Sequence, residues 1–396
     1  MDHLSTFYRD QLVNDCLPFW LENAVDRQYG GFMTSLNRDG SVLDTDKGVW
    51  QQGRFTWLLA KMCNDPLLAN EQARSEWLDI AVAGGDFLRE HGFDASDGRM
   101  WFHLDRQGHP IRKRRYAFSE SFAAIAFGEL AKATDQQAYR DLAVSCFEEF
   151  LSCGQDSLRF PPKWTSQRTT RSIGPAMIRI GTAQQLRESI GLETAAEIID
   201  QAILEIKTFF VKPDLQCVME TVSETGEILD HFDGRTLNPG HAIEAGWFIL
   251  EEARVRKDSS LIDLGCQILD WMLLRGWDEE YGGILYFVDV KGLPVQEYWH
   301  DMKFWWPHNE AIICSLYAYL LTGEEKYKRW HQRIHDWSFD HFADPEFGEW
   351  FGYLHRDGTL SVPLKGNLWK GPFHYPRMLL TCWKRLQEWS ESGKLA

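Results

Sequence analysis

The sequence predicts an all-α protein folded as an (α/α)6 barrel, in which six inner helices alternate with six outer helices around one axis. The first observation is a repeat of an aromatic-rich stretch, a glycine turn, a second stretch and a helix-like segment. Its turn glycines lie 68, 118, 66 and 66 residues apart, so the long gap predicts a degenerate sixth unit near 154–172. Six units of about 66 residues cover the whole chain. A unit this small cannot bury its apolar face alone, so we expect one stacked domain over 1–396.

The second observation is the helical period of the apolar residues between the glycine turns. Asn238 and Pro239 mark the start of a helix that carries His241, and Pro307 marks the start of one that carries His308. Short β-hairpins are expected to cluster at one end of the barrel and to form the wall of a funnel. The twelve predicted helices cover 4–24, 54–64, 71–91, 118–133, 136–152, 172–190, 193–211, 241–256, 259–275, 308–322, 325–341 and 374–390.

A polar residue follows each turn glycine at nearly the same distance, near the start of the next inner helix. The separations are 14, 13, 15, 16 and 16 residues, and the residues are Arg54, Ser121, His241, His308 and His374. Because equivalent positions of a closed ring face its axis, these side chains are predicted to converge there. The sequence therefore places the active site at the hairpin end of the barrel.

These residue types suit the removal and return of a proton on carbon. Histidine titrates near neutral pH, so His241 and His374 can exchange protons, and Arg54 can stabilise a developing oxyanion. Glu244 follows His241 by three residues, on the same helix face, and is expected to orient it. An open-chain aldose has an acidified proton at C2. Its return to the opposite face of C2 gives a 2-epimer, and its return to C1 gives a ketose, with no need for a redox cofactor or a metal.

Tryptophan is abundant, with 18 residues in the chain. Aromatic faces stack on the C–H faces of sugar rings, so the tryptophans in and after the hairpins favour a carbohydrate pocket. The alternative interpretation is that they pack the hairpins on the barrel. These residues are Trp299, Trp305, Trp306, Trp350 and Trp369.

Other functions leave weaker signals. His331 and His335 have the spacing of two zinc ligands, but they lie in a charged, exposed-looking stretch, and no metal site is predicted. Gly84 and Gly85 do not fit a phosphate-binding loop and indicate close helix packing. A glycoside hydrolase on the same barrel needs paired carboxylates in the converging positions. A binding protein without catalysis would not need the histidines.

Charge and cysteine content limit the partners and the compartment. A net charge of −16 disfavours nucleic acid and anionic membranes as partners. The basic run Arg112–Arg115 is either a solvated strand end or a phosphate site. There is no secretory signal and no apolar stretch long enough to span a membrane. The eight cysteines are scattered singly, which fits free thiols in the cytoplasm.

The chain resembles the N-acylglucosamine 2-epimerase family almost from end to end. The family includes the vertebrate renin-binding proteins, has an (α/α)6 barrel, is commonly dimeric, and interconverts N-acetylglucosamine and N-acetylmannosamine. The segments that carry the resemblance are Phe118–Phe122, Asn238–Ala245, Trp305–Ala311, Asp344–Leu354 and Lys370–Arg377.

The resemblance also implies roles for single residues. His241 and His374 look like the acid/base pair, and Arg54 looks like the residue that holds the substrate oxygen. The segment of Gly84 and Gly85 resembles one linked to nucleotide binding, where ATP activates without being consumed. The residues that resemble the sugar-binding positions are Glu244, His308, Glu310 and Trp306.

The wider superfamily includes cellobiose 2-epimerases and mannose or sulfosugar isomerases. These tend to carry a further histidine in the third unit, where this chain has Met177. Methionine here favours the N-acylglucosamine branch. The run 158–173 departs from the family pattern and contains Lys163, Arg168 and Arg171, so a free-sugar epimerase or a mannose-acting isomerase stays an alternative.

Overall fold

The computed structural model describes residues 2–65, 68, 71–153 and 159–391. Residues 154–158 of the expected sixth unit therefore lie outside the described part of the chain. The helices in chain order are α1 (Asp2–Gln11), α2 (Leu17–Asn23), α3 (Val49–Cys63), α4 (Glu71–His91), α5 (Phe118–Thr134), α6 (Gln137–Ser152), α7 (Ile173–Ile190), α8 (Ala195–Glu205), α9 (Phe232–Arg235), α10 (Pro239–Arg256), α11 (Ser259–Gly276), α12 (Trp305–Thr322), α13 (Glu325–Phe342) and α14 (His374–Glu391).

Six helices form an inner ring, in the order α3, α5, α7, α10, α12 and α14, with each packed on the next. Lys384 of α14 closes the ring on the end of α3, because its Nζ lies 2.7 Å from Oδ2 of Asp65. The outer layer consists of α4, α6, α8, α11, α13 and the N-terminal pair α1 and α2. A π-helical turn, Leu12–Cys16, joins that pair, and a second, Ile206–Phe210, extends α8. The predicted (α/α)6 barrel is confirmed.

Burial follows from position in the two layers. In the inner helix α12 every residue from Trp305 to Ala318 is buried, whereas the outer helix α13 buries one face only. A helix that is apolar all round is stable only when it is enclosed on all sides, and an amphipathic one only at a surface. The two residue patterns thus decide which helices are inner and which are outer.

Short antiparallel strands form a collar at the N-terminal ends of the inner helices. The strand that enters an inner helix pairs with the first strand of the following hairpin, as β3 with β4, β6 with β9, β10 with β11, and β12 with β13. The five turn glycines of the repeat have φ between 71° and 96°, a conformation that favours glycine. The strands are β1 (Ser35–Leu36), β2 (Val42–Asp44), β3 (Lys47–Gly48), β4 (His103–Leu104), β5 (Pro110–Arg112), β6 (Thr170–Ser172), β7 (Val211–Lys212), β8 (Cys217–Val218), β9 (Thr221–Ser223), β10 (Thr236–Leu237), β11 (Val288–Asp289), β12 (Lys303–Phe304), β13 (Tyr353–Leu354) and β14 (Leu360–Val362).

The observed helices match the twelve predicted ones, but two inner helices begin earlier than expected. Helix α3 begins at residue 49 instead of 54, and α12 begins at residue 305 instead of 308. The aromatic residues before Arg54 and His308 therefore belong to the first helical turn. Among the described helices, none has both the length and the apolar character of a membrane span.

Candidate active site

A cavity of about 840 Å³ opens at the hairpin end of the barrel, on its axis. All six inner helices, or the residues just before them, contribute side chains to its wall. Residues of the hairpins complete the rim. The polar side chains in its wall are Arg54, Ser172, Glu220, His241, Glu244, Asn367, His374 and Arg377, and the aromatic ones include Trp50, Phe122, Tyr286, Trp299, Trp305, Trp306, Tyr353, Trp369 and Phe373.

Two imidazoles in the cavity are each held by a carboxylate. Nδ1 of His241 lies 3.0 Å from Oε2 of Glu220, and Nδ1 of His374 lies 2.7 Å from Oε1 of Glu310. A carboxylate on Nδ1 fixes the ring and its tautomer, which leaves Nε2 as the nitrogen for proton exchange. The site therefore holds two oriented acid/base groups.

Trp306 lies between the two imidazoles. Its ring centroid is 5.0 Å from that of His241 and 5.8 Å from that of His374. The N-terminal position of His241 in α10 is set by Asn238, whose Oδ1 accepts a hydrogen bond of 3.1 Å from the backbone N–H of His241. The two histidines thus face one shared volume from two sides of a rigid indole.

The environments of the two histidines shift their pKa values in opposite directions. Burial is the largest influence on His241 and lowers its pKa, but the carboxylates of Glu220, Glu244 and Glu310 together outweigh it, so its pKa is raised. Burial, followed by the positive charges of Arg377 and Arg54, holds the pKa of His374 well below its usual range. A proton is therefore held more strongly by His241 than by His374.

Two charged residues, Glu244 and Arg377, form the floor of the cavity, and Glu310 lies behind them. Nη2 of Arg377 lies 2.6 Å from Oε1 of Glu244 and 2.6 Å from Oε1 of Glu310, so two carboxylates neutralise one guanidinium. Oε2 of Glu310 also accepts a 2.6 Å hydrogen bond from the indole N–H of Trp247. This network holds the carboxylate that orients His374.

Arg54 forms no direct ion pair with a carboxylate among the described residues. Its guanidinium carbon lies 4.1 Å from the ring centroid of Phe122 and 4.6 Å from that of Phe373, and its Nε is buried without a hydrogen-bond partner in the described part of the chain. Burial, with the neighbouring charge of Arg377, lowers the pKa of Arg54 to about 9. A cation with unused donors beside two proton-transfer groups is a ready site for a developing oxyanion.

The ligand atoms of Glu244, Glu310 and His374 lie within 4.8 Å of one another, as in a metal site. Arg377 contacts both carboxylates of this group, however, and supplies the positive charge between them. The geometry is that of an ion-paired cluster around a guanidinium.

His308 is not part of the cavity, contrary to the prediction that it binds the sugar. It is fully buried, its Nε2 accepts a 2.8 Å hydrogen bond from the backbone N–H of Ile284, and its Nδ1 lies 2.7 Å from the carbonyl oxygen of Phe304. Burial lowers the pKa of His308 to about 3. It joins the hairpin to α12, so its role is structural.

Two other helices use the same position in the same way. The side chain of Gln52 accepts a 2.7 Å hydrogen bond from the backbone N–H of Phe32, and that of Glu120 accepts a 2.9 Å bond from Met100. Like Ile284, both backbone donors lie in an isolated bridge at the base of a hairpin. The position of His308 in the repeat is therefore a hairpin anchor.

The carboxylates also differ from expectation. Glu244 binds Arg377. The residue that orients His241 is Glu220, which directly precedes strand β9. Glu310 is fully buried and does not line the cavity, so it acts on His374 and not on the substrate. The predicted cavity positions of Arg54, Met177, His241, Glu244, Trp306 and His374 agree with the structure.

The glycine pair and the histidine pair of the outer helices pack the barrel. A Cβ on Gly84 would meet Thr56 Oγ1, and one on Gly85 would meet Leu130 Cδ1, so both glycines permit close helix packing. Nucleotide binding by this segment stays a prediction. His331 and His335 are buried, not exposed, and both bind the hydroxyl of Tyr8, at 3.0 and 2.9 Å.

The predicted tryptophans divide between the cavity wall and the core. Trp299, Trp305, Trp306 and Trp369 line the cavity, whereas Trp350 is fully buried and stacks on Tyr375 with centroids 4.4 Å apart. In the divergent run, Ser172 reaches the cavity wall. Lys163 and Arg168 lie over the ring of Trp164, 4.7 and 5.8 Å from its centroid.

Two site residues were not found from the sequence. Glu220 is 21 positions from His241, and only folding brings them together. Arg377 follows His374 by three residues, the same spacing that separates His241 and Glu244, and this repeated spacing was an available signal.

Comparison with known proteins shows the family of the chain. The family model of N-acylglucosamine 2-epimerase (GlcNAc 2-epimerase) matches residues 30–374. The chain belongs to this family. It is 38% identical over 379 residues to the N-acylglucosamine 2-epimerase of Bos taurus, covering 92% of this chain and 87% of the bovine protein. The corresponding human protein is 36% identical over 384 residues, covering 94% and 88% of the two chains.

Solved structures show the same fold at low sequence identity. The cellobiose 2-epimerase of Bacillus thermoamylovorans superposes on this N-acylglucosamine 2-epimerase family member with a TM-score of 0.82 at 19% identity, over 97% of this chain and all of that one. A D-mannose isomerase gives a TM-score of 0.79 at 18% identity, over 97% and 98% of the two chains. These similarities show a shared barrel fold and do not distinguish epimerisation from isomerisation.

Proposed function

We propose that this protein is a sugar 2-epimerase that interconverts N-acetylglucosamine and N-acetylmannosamine. The observation that carries the proposal is the pair of carboxylate-held imidazoles, His241 with Glu220 and His374 with Glu310, on either side of Trp306. A substrate carbon between them meets a proton donor on one side and a proton acceptor on the other. Membership of the family supports the choice of an N-acylated sugar.

The reaction starts from the open-chain aldehyde. Neutral His374 removes the C2 proton through Nε2, and the electron pair of the C–H bond moves to the aldehyde oxygen. The unpaired guanidinium of Arg54 stabilises the enolate oxygen so formed. Protonated His241 then donates its proton to the other face of C2, and the aldehyde forms again in the inverted product.

Each turnover leaves His374 protonated and His241 neutral, which is the state required for the reverse reaction. The opposite pKa shifts restore the starting state, because the proton is more stable on His241 than on His374. The side chain of His241 is 32% exposed, so it can exchange protons with solvent. The proton transfers thus need only groups of this chain.

The glycoside hydrolase alternative has less support. Glu244 and Glu310 are close together, but both are neutralised by Arg377 and Glu310 is inaccessible from the cavity. A hydrolase needs one free nucleophile or base and one protonated acid at the substrate. The mannose-acting isomerase uses the same proton abstraction and differs in where the proton returns.

The test is proton NMR in D2O with N-acetylmannosamine, N-acetylglucosamine, mannose and glucose in separate samples. We expect deuterium at C2 and the C2 epimer with either N-acetyl sugar. Formation of fructose from mannose, at a higher rate than epimerisation of the N-acetyl sugars, would show that the protein is an aldose–ketose isomerase. Absence of exchange with every sugar, with and without ATP, would reject both reactions.

Activation by ATP, a homodimeric state and a cytoplasmic location stay predictions. The seven buried thiols support a reducing compartment, since none of the described cysteines forms a disulfide. Turnover with and without ATP tests activation, and light scattering on a gel-filtration column tests the dimer.

A further inference from the structure

Three arginines at the end of β5 and just after it have no acidic partner among the described residues. Arg112, Arg114 and Arg115, here called the arginine rim, form no ion pair with a carboxylate of the described residues. Lys113, within the same run, differs, because its Nζ binds Asp94 and Asp97. The chain as a whole carries a net charge of −16, so a group of unpaired arginines is a local exception.

The arginine rim is joined to the cavity by stacked aromatic rings. The guanidinium carbon of Arg114 lies 4.5 Å from the ring centroid of Phe102 and 5.4 Å from that of Trp369, a residue of the cavity wall. Arg112 lies over the same Phe102 ring at 4.9 Å. Trp369 is 44% exposed, so the rim and the cavity mouth form one accessible surface.

Arg114 is repelled by both of the other arginines. Burial, and then the charges of Arg112 and Arg115, lower the pKa of Arg114, and its Nε is buried without a hydrogen-bond partner among the described residues. The nearby carboxylate of Asp46 is already engaged by His103, at 3.3 Å, on the strand beside Arg112. A bound oxyanion would supply the negative charge that these arginines lack and would accept hydrogen bonds from their free N–H groups.

The position of the reacting carbons indicates which end of the substrate would bear this oxyanion. In the proposed reaction, C1 and C2 of the sugar lie at the floor, between His241, His374 and Arg54. The rest of the carbon chain then extends towards the mouth, where Trp369 and the arginine rim lie. A charged group on the distal carbon is therefore the one that meets the arginines.

We propose that the arginine rim binds a phosphate ester on the distal end of the acylamino sugar, so that the enzyme also epimerises anionic, phosphorylated substrates. This proposal rests on the 2-epimerase function proposed above. Arginine suits the task because its planar fork binds phosphate oxygens in pairs. A basic cluster at the mouth also offsets the general repulsion between this acidic protein and an anionic substrate.

The experiment compares N-acetylmannosamine with N-acetylmannosamine 6-phosphate as substrates, with kcat/KM measured by proton NMR. The variants are the double change Arg112→Gln with Arg115→Gln, and Arg114→Lys, which keeps the charge but not the fork. The matched control is Arg329→Gln, an exposed arginine on the outer helix α13.

For the wild type we expect turnover of the phosphate ester, with a kcat/KM that falls as salt is raised. The double variant should lower kcat/KM for the ester about tenfold or more and leave the neutral sugar within about twofold. Arg114→Lys should give a smaller loss for the ester, and Arg329→Gln none.

The proposal is overturned if the wild type turns over the neutral sugar but neither turns over nor is competitively inhibited by the ester. It is also overturned if inorganic phosphate changes turnover of the neutral sugar through the same arginines, because the rim would then be an effector site. If neither sugar exchanges its C2 proton, the 2-epimerase function fails. Calorimetry of the ester against the wild type and the double variant would then still decide whether the rim binds phosphate.

Discussion

Nδ1 of His241 lies 3.0 Å from the carboxylate of Glu220, a residue of the preceding hairpin. This contact orients the imidazole and, with the neighbouring carboxylates, keeps its pKa above the usual value despite burial. His374, in contrast, has its carboxylate shared with Arg377, and its pKa is lowered. The pKa values of the two histidines thus shift in opposite directions because, among the described residues, the carboxylate of His374 is shared with an arginine and that of His241 is not.

Replacing Glu220 by glutamine should weaken proton donation by His241. The raised pKa of His241 would fall, so the high-pH limb of kcat/KM should move to lower pH, because His241 must be protonated to act as the acid. We expect kcat to fall about 10–100-fold, as for carboxylates that orient metal-bound histidines. The pH profile is the measurement, and Glu227→Gln, an exposed change on the same hairpin, is the control. An unshifted limb would rule out this role.

Loss of either histidine should separate exchange from epimerisation. His241→Asn and His374→Asn should each lower epimerisation by about 10² to 10⁴. In D2O, the variant that keeps His374 should still exchange the C2 proton of one epimer, and the variant that keeps His241 should exchange only the other. Proton NMR with each pure epimer, and circular dichroism for the fold, give the readout. Exchange of both epimers by one variant would contradict the two-base mechanism.

Arg54→Ala should cost activity without costing stability. Removal of an oxyanion partner lowers kcat by at least about 10²-fold. The guanidinium is buried, lacks a partner for Nε and is repelled by Arg377, so the melting temperature should stay the same or rise. Steady-state kinetics and calorimetry test the two parts. A large fall in melting temperature would show that Arg54 is held by interactions that stabilise the fold.

His308→Ala should have the opposite effect. It leaves the backbone N–H of Ile284 buried without an acceptor, which destabilises a protein by about 1–3 kcal/mol. His308→Gln should recover much of this, because Gln52 performs the same task in the first unit. For the folded fraction, KM should be unchanged. A KM raised more than about tenfold in the glutamine variant would show that His308 contributes to sugar binding after all.

Acid should weaken the attachment of the N-terminal helix through His331 and His335. Burial lowers their folded pKa values to about 3 and about 4, below the usual 6.5. Their contribution to stability is therefore present above about pH 6.5 and is lost as the pH falls towards 4. His335→Gln should flatten the decline in unfolding free energy between pH 7 and pH 5 in urea titrations, and the exposed His355→Gln should not. Equal slopes in all three proteins would exclude this coupling.

Much of the architecture could be predicted because it depends on patterns among residues that are close in the sequence. The glycine turns recur with a fixed period, and each has the positive φ that glycine alone adopts readily. Apolar periodicity identified the twelve helices, and equivalence within the repeat brought Arg54, His241 and His374 to one cavity. These features depend on residues near one another in the chain, or on the symmetry of a closed ring.

The prediction for His308 was wrong because it assumed that a nearly constant distance from the turn glycine places every such polar residue on the barrel axis. Helix α12 begins three residues before His308, at Trp305, and each residue turns a helix by about 100°. A displacement of two positions moves a side chain from the axis to the hairpin. The residue of α12 that faces the charged floor is accordingly Glu310, whose equivalent in α3 is Arg54.

The sequence by itself determined the barrel, the end at which the site forms and the residue types available for proton transfer. The tertiary structure alone decided which carboxylate holds which histidine. Glu220 reaches His241 from the hairpin that precedes α10, and Glu310 reaches His374 across 64 positions while sharing Arg377 with Glu244. The strength of such contacts depends on distances and burial, which the order of residues along the chain does not contain.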